Sequence, residues 1–298
     1  MKPSLIYIGG YGRSGSTLLD TLLSGLPNAW SGGELCWLFS EIVAGRRCSC
    51  GALLTECSFW TEVLERVRRS ESWLGEVGAA RLTEQMQRWD SLMGPKRRQY
   101  ASLWRDTLSA IRDVSGAAII VDSSKSTRKS TWRPDLLSSA GEAVGLLHLV
   151  RDPRQVMASV RKGSNRRLER GGKPRLLGGE YRAMVSWVLT NALFEWRSSS
   201  SGRRVLLVRY EDLVADPLSE LGRIADFFEL EWGSLRTQVE SDEPFDPGHA
   251  IAGNRMRRQG QVRIEGVGAI ESQNLPSFGL WIPQAAKLMR RYGYDDQN

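Results

Sequence analysis

A glycine-rich segment near the start of the chain carries the residues best suited to bind an anion. It reads Gly9-Gly10-Tyr11-Gly12-Arg13-Ser14-Gly15-Ser16-Thr17. The apolar run at residues 5–8 predicts a buried strand before it, and the leucine spacing over residues 16–26 predicts a helix after it. Backbone N–H groups of residues 14–17, at the start of that helix, would surround one tetrahedral anion, and Arg13 adds a positive charge.

The glycine spacing alone leaves other nucleotide sites open. Gly10, Gly12 and Gly15 match a dinucleotide fingerprint, which also needs an acidic residue at the end of a second strand. Glu34 lies near the required distance, but residues 27–33 lack the β-branched character of a strand. A tight glycine turn that binds no ligand is the remaining structural alternative.

A nucleotide triphosphatase loop is also approximated by the interval from Gly10 to Gly15. That loop needs a lysine after its last glycine to neutralise the β- and γ-phosphates, and this chain has Ser16 there. In this chain the cation of the loop is Arg13. A single arginine favours a site for one tetrahedral group, such as the terminal group of a 5′-phosphosulfate, and such a site requires no metal ion.

A second anion site is predicted where a later strand meets a helix. The segment reads Leu149-Val150-Arg151-Asp152-Pro153-Arg154-Gln155-Val156-Met157-Ala158-Ser159. Proline near the first turn favours a helix start, and Arg151 and Ser159 could face one phosphate if the loop folds back. The alternative is an N-capping Asp152 followed by a surface arginine.

Together these two segments resemble the nucleotide motifs of a known enzyme family. Residues Gly12-Arg13-Ser14-Gly15-Ser16-Thr17-Leu18-Leu19 are similar to the 5′-phosphosulfate loop of sulfotransferases that use 3′-phosphoadenosine 5′-phosphosulfate (PAPS). The likeness is to bacterial members and to the tyrosylprotein and carbohydrate branch. In the segment around Arg151 and Ser159, the resemblance implies that these two residues hold the 3′-phosphate. It further implies PAPS as donor and adenosine 3′,5′-bisphosphate as product.

Transfer of a sulfuryl group to a hydroxyl, or less favourably to an amine, needs a base for the acceptor proton. Glu34 follows Gly32-Gly33 and resembles the glutamate that acts as base in tyrosylprotein-type sulfotransferases. His249 is the alternative base, whereas His148 lies in an apolar run and is interpreted as a core residue. Lys125 is expected to stabilise charge on the leaving phosphate oxygen, as Arg13 is.

Three further residues are candidate donor contacts. Ser124 precedes Lys125 and could hydrogen-bond the same leaving group. Arg255 and Arg257 lie in a segment that resembles a late donor-contacting stretch of bacterial family members, although a solvated basic loop would have the same composition.

All four cysteines fall in one region, and their state is left open. Cys36, Cys48, Cys50 and Cys57 could bind zinc, form disulfides or remain buried free thiols. Their spacing is not a clean pair of Cys-x-x-Cys knuckles, so no metal ligand is assigned. A reducing compartment would disfavour disulfides.

The elements that must position these residues alternate between strands and helices. Strands are predicted at residues 5–8, 117–121, 145–150 and 205–208, and each is followed by polar residues. This order predicts an α/β, P-loop-like three-layer fold with a mainly parallel central sheet flanked by helices. We expect a single domain over residues 1–298, with a helical, cysteine-bearing insertion at about 35–113 and a basic mobile loop at about 163–179.

Composition narrows the class of protein. The net charge is +7, which favours anionic partners. No apolar run is long enough for a membrane span and no signal peptide is evident, so a cytoplasmic protein is expected. Two alternatives remain: a P-loop kinase, and a basic nucleic-acid-binding module, although the basic residues form no stripe with aromatic ones. The acceptor and the oligomeric state are not specified by the sequence.

Overall fold

The fold is α/β, as predicted. The computed structural model describes residues 2–86, 95–125, 131–161, 179–253, 255–258, 260–264 and 283–294. In this part of the chain, five parallel strands form one sheet in the order β2-β3-β1-β4-β5. The strands are β1 Leu5–Gly9, β2 Ala29–Ser31, β3 Ile119–Asp122, β4 Val144–Val150 and β5 Val205–Arg209.

Helices connect the strands and cover both faces of the sheet. They are α1 Ser16–Leu23, α2 Leu38–Val43, α3 Ser58–Arg68, α4 Gly75–Met86, α5 Pro95–Ser115, α6 Arg133–Ser139, α7 Pro153–Arg161, α8 Gly179–Ser200, α9 Tyr210–Ala215, α10 Pro217–Phe228, α11 Gly233–Glu240 and α12 Pro283–Arg291. Short 3-10 turns lie at Leu35–Trp37 and Arg255–Arg258. The helical character expected for the 35–113 region is therefore present in α2 to α5.

Side chains alternate between the two faces of β1, and each face packs against its own layer of helices. Leu5 and Tyr7 point into a core built with α2 to α6, whereas Ile6 and Ile8 point into a core built with α1 and α9 to α11. All four side chains are fully buried. A strand that is apolar on both faces is typical of a parallel sheet covered by helices on each side.

The edge strand β2 corrects the sequence analysis, which excluded a strand at residues 27–33. Ala29, Trp30 and Ser31 pair in parallel with β3. The strand has only three residues and no β-branched side chain, so its own propensity does not form it. Backbone pairing to β3 and the stacking of Trp30 on Phe59, with ring centroids 4.9 Å apart, hold it in place.

Two further expectations concern the basic loop and the number of domains. Residues 163–178 of the expected basic loop lie outside the described part, and Gly179 begins α8. The single-domain assignment stays a prediction. None of the helices in the described residues is both long enough and apolar enough to cross a membrane.

A buried carboxyl on α1 makes the stability of this fold depend on pH. Asp20 accepts a hydrogen bond from the Ser31 hydroxyl, and burial raises the pKa of the Asp20 carboxyl to about 7. The pKa in the unfolded chain is about 3.9. Because the folded value is the higher one, the contribution of Asp20 to stability is complete below about pH 4 and is lost as the pH rises through the folded pKa.

We therefore expect the stability difference between the parent protein and Asp20→Asn to depend on pH. The free energy of unfolding of the parent should fall relative to that of the variant between about pH 4 and pH 7, by up to about 1.4 kcal/mol per pH unit. Urea unfolding of both proteins across this range measures it. Parallel pH profiles would contradict the assignment.

Candidate active site

One cleft gathers most of the residues that the sequence singled out. It lies where β1, β3 and β4 end at one edge of the sheet, the place at which open parallel sheets bind ligands. Its volume is about 230 Å³. The lining residues are Gly12, Arg13, Gly15, Ser16, Thr17, Leu18, Glu34, Lys125, Arg151, Ser159, Tyr210, Gly253 and Met256.

The glycine loop forms a concave turn at the start of α1. Arg13 and Gly15 both adopt left-handed backbone conformations, with φ of 74° and 90°. Gly15 is the N-cap residue and offers no side-chain acceptor, so backbone N–H groups at the helix start remain suited to a bound anion. The ring of Tyr210 occupies the position that a side chain at residue 15 would need, which requires glycine there.

Ser14 adds a buried hydroxyl to the same loop. Its side chain is 1% exposed, and its Oγ has no hydrogen-bond partner among the described residues. A buried polar atom without a partner is uncommon in proteins and often marks a place where a ligand or water completes the hydrogen bonding. The loop is therefore a fitting receptor for a tetrahedral anion.

The two predicted anion sites are in direct contact. The Arg13 guanidinium donates a hydrogen bond to the Ser159 hydroxyl at 3.2 Å, and Arg151 donates to the Arg13 carbonyl at 3.3 Å. Arg151 also donates to Gln155 at 3.0 Å and lies over the Tyr210 ring, 4.1 Å from its centroid. Partial burial lowers the pKa of Arg13 from its ordinary value, and such a desolvated cation attracts an anion more strongly than an exposed one.

Glu34 and Lys125 form an ion pair on another side of the cleft. The Lys125 ammonium lies 2.5 Å from Glu34 Oε1. Lys125 has a left-handed backbone (φ 63°), and its carbonyl accepts a hydrogen bond from the Tyr7 hydroxyl at 2.6 Å. A strained backbone that is fixed by a buried partner is common at functional sites, because the surrounding structure must compensate its cost.

The backbone of Glu34 is fixed by a later segment of the chain. The Glu34 N–H donates to the Ile251 carbonyl at 3.0 Å, and the Ile251 N–H donates to the Gly32 carbonyl at 3.0 Å. Gly33 has φ of 71° and lies so close to the Ile251 carbonyl that a side chain would overlap it. Glycine at position 33 thus permits the close approach of the Ile251 segment to the backbone before Glu34.

Comparison with known proteins decides the family. A model of the sulfotransferase family matches residues 3–234, which is most of the chain and includes the glycine loop and the Arg151 segment. The chain belongs to the sulfotransferase family.

Solved structures share its fold. The sulfotransferase domain from the Synechococcus PCC 7002 olefin synthase is 22% identical with a TM-score of 0.55, and the match covers 98% of this chain and 94% of that one. The sulfotransferase domain from the curacin biosynthetic pathway is 20% identical with a TM-score of 0.53, covering 98% of both chains. No curated protein matches the sequence.

Two residues predicted as donor contacts, Ser124 and Arg257, do not line the cleft of this sulfotransferase. The Ser124 hydroxyl donates to Asp122 and accepts from the Cys36 N–H at 3.0 Å. Arg257 is buried and donates to the Ala250 carbonyl at 2.8 Å. Arg255 begins a 3-10 turn, and its side chain lies outside the described set. Ser124 and Arg257 therefore support the walls of the site, whereas their contact with a donor stays a prediction.

The two histidines take different positions. His148 is a core residue, as interpreted from the sequence: it is buried, Nε2 lies 3.1 Å from the Asn191 side-chain oxygen, and burial lowers its pKa. His249, the alternative base, does not line the cleft. Its Nδ1 lies 3.2 Å from the Cys57 sulfur, among the cysteines. Glu34 is thus the candidate base that the cleft contains.

Sequence reasoning missed three lining residues. Tyr210 directly follows β5 and packs against the glycine loop, while Gly253 and Met256 come from the segment beyond Ile251. The polar run after β5 was a usable signal for Tyr210, because the carboxyl ends of parallel strands meet at one edge. Gly253 and Met256 lie in the late segment around Arg255 and Arg257 that resembles a donor-contacting stretch, so the segment was indicated by the sequence although these two residues were not.

Proposed function

We propose that this sulfotransferase transfers the sulfuryl group of PAPS to an acceptor hydroxyl, less favourably to an amine, and releases adenosine 3′,5′-bisphosphate. The contact of Arg13 with Ser159 carries this proposal. It brings together the two predicted anion-binding segments, which are 146 residues apart in the sequence, and this proximity supports a nucleotide with phosphate groups at both its 5′ and 3′ positions. A nucleotide with a 5′-phosphate alone would have no phosphate group to contact Arg151 in the second segment.

The glycine loop is suited to the 5′-phosphosulfate. The start of α1 presents backbone N–H groups and a partial positive charge, and Ser16 and Thr17 line the cleft beside them. Arg13 lies at the junction of this loop with Ser159. We assign Arg151 and Ser159 to the 3′-phosphate, because a guanidinium and a hydroxyl together provide charge-assisted and neutral hydrogen bonds to its oxygens.

In the transfer step, Glu34 accepts the proton of the acceptor hydroxyl while that oxygen attacks sulfur in line. A new oxygen–sulfur bond forms, and the bond from sulfur to the bridging phosphate oxygen breaks. The electron pair of the broken bond remains on the departing 5′-phosphate. Arg13 and Lys125 stabilise that charge, which is why the proposal needs no metal ion for the transfer.

The ion pair between Glu34 and Lys125 supports the role of Glu34 as base and of Lys125 as a cation for the leaving group. The Lys125 ammonium, 2.5 Å away, holds the Glu34 side chain in the cleft with a fixed orientation. Both side chains are mostly buried, so bulk water competes little for the proton. The same lysine lies near the place where negative charge develops, since it shares the cleft with Arg13.

Nucleotide preference tests the proposed donor without knowledge of the acceptor. Titration calorimetry should show that adenosine 3′,5′-bisphosphate binds about 10- to 150-fold more tightly than adenosine 5′-phosphate, which corresponds to about 1.5–3 kcal/mol for hydrogen bonds to a charged group. Magnesium should have no effect on this affinity. Tighter binding of ATP with magnesium would contradict the proposal and favour a kinase. Salt-dependent binding of an oligonucleotide in place of the bisphosphate would favour a nucleic-acid-binding module.

A further inference from the structure

A second cluster of reactive side chains lies outside the cleft. Cys48, Cys50, Cys57 and His249 place one ligand atom each within 4.8 Å of one another. Cys36, the remaining cysteine of the sequence, is not part of this cluster. It is buried, and its N–H donates to Ser124. The fourth member is instead a histidine that lies 192 residues after Cys57 in the sequence.

The spacing of the ligand atoms fits a tetrahedral metal. With Zn–S bonds of about 2.3 Å and Zn–N bonds of about 2.0–2.1 Å, two sulfurs are about 3.8 Å apart and a sulfur and nitrogen about 3.6 Å apart. Here the sulfurs of Cys50 and Cys57 are 3.7 Å apart. His249 Nδ1 is 3.8 Å from the Cys48 sulfur and 3.2 Å from the Cys57 sulfur.

Two aromatic residues restrict the position of His249. Phe59 stacks on the His249 ring with centroids 5.1 Å apart and an interplanar angle of 6°. Trp60 donates from its ring N–H to the His249 carbonyl at 2.8 Å. The stacking restricts the orientation of the ring, with Nδ1 toward the sulfurs, and the Trp60 hydrogen bond fixes the backbone that carries it.

We propose that Cys48, Cys50, Cys57 and His249 bind one structural zinc ion. All four ligand positions are filled by protein atoms, which is the arrangement of structural rather than catalytic zinc sites. Loading releases the three thiol protons to solvent, so that Zn²⁺ with three thiolates and a neutral imidazole carries a net charge of −1. Three sulfur ligands and one nitrogen favour zinc over magnesium or calcium, which prefer oxygen.

The metal site also connects the cysteine loop to the backbone that carries Glu34. The Ser49 N–H donates to the Ala250 carbonyl at 3.1 Å, next to His249. The following residue, Ile251, pairs with Gly32 and Glu34 through two hydrogen bonds. Zinc would thus fix the 248–251 segment from one side and so hold Glu34 in position from a distance.

Metal analysis of the purified full chain tests the site. We expect one zinc per chain by mass spectrometry of the metal content, and a cobalt-loaded protein with the intense thiolate charge-transfer and visible bands of tetrahedral Co²⁺. Cys50→Ser and His249→Asn should each lower zinc retention against a chelator at least tenfold, whereas Cys36→Ala should retain zinc as the parent does. Absence of stoichiometric zinc, or octahedral cobalt bands in the parent, would overturn the proposal.

Hydrogen exchange tests the connection to Glu34 separately from catalysis. Removal of zinc should accelerate exchange of the Glu34 and Ile251 amides, because the hydrogen bonds that protect them lose their support. Exchange in β1 should stay slow and serves as the internal reference. Stoichiometric zinc whose removal leaves both amides protected would overturn the positioning role. Neither readout depends on the sulfate donor, so failure of this inference and failure of the proposed function are distinguishable.

Discussion

Glu34→Gln should lower kcat by about 10²- to 10⁴-fold while the affinity for adenosine 3′,5′-bisphosphate changes little. The amide keeps the shape of the side chain but does not accept the acceptor proton at the rate a carboxylate does. The measurement is release of adenosine 3′,5′-bisphosphate from PAPS with an acceptor found by a screen of hydroxyl compounds. Calorimetry with the product nucleotide gives the affinity of each variant.

A matched control separates loss of the base from general damage. Glu231 is exposed on the loop before α11 and does not line the cleft, so Glu231→Gln removes the same charge outside the site and should leave turnover unchanged. The pH profile adds a second readout, because a plain structural defect would lower the rate equally at every pH. Parental turnover in Glu34→Gln would eliminate Glu34 as the base.

Arg151→Ala should weaken binding of adenosine 3′,5′-bisphosphate by about 10- to 150-fold and leave adenosine 5′-phosphate binding nearly unchanged. The proposed partner of Arg151 is the 3′-phosphate, which only the first nucleotide carries. Loss of that contact should therefore remove the preference between the two ligands. Calorimetric titration of both nucleotides against parent and variant measures the ratio.

Arg154 provides the control for this second variant. It lies three residues further along, and its guanidinium pairs with Asp152 at 2.7 Å. Arg154→Ala removes a neighbouring charge of the same sign, so it should keep the preference for the bisphosphate. Because Arg151 also contacts the Arg13 carbonyl, its removal could disturb the loop. An equal loss for both nucleotides would indicate such a disturbance and contradict the 3′-phosphate assignment.

The sequence identified the parts of the fold whose signals are local. β1 and the glycine loop follow from a short apolar run that ends in glycines, and β4 from a longer run that ends at Arg151. In each case strong β propensity and an abrupt polar boundary agree with the final structure. The family motifs added Glu34, which local patterning alone could not distinguish from an acid at a helix start.

Contacts between distant segments account for what the sequence did not reveal. The strand β2 exists because its backbone pairs with β3, although residues 29–31 have little strand propensity of their own. His249 joins the cysteines only because residues 248–251 fold back against Gly32 and Ser49. Spacing between cysteines could not reveal this partner.

In the proposed complex, one PAPS molecule spans the glycine loop and the Arg151–Ser159 site with its sulfate end toward Glu34. A crystal structure of the chain with adenosine 3′,5′-bisphosphate tests this most directly. We expect the 5′-phosphate at the N–H groups that start α1 and the 3′-phosphate within hydrogen-bond distance of Arg151 and Ser159. A nucleotide bound outside this cleft, or one whose 3′-phosphate contacts neither residue, would contradict it.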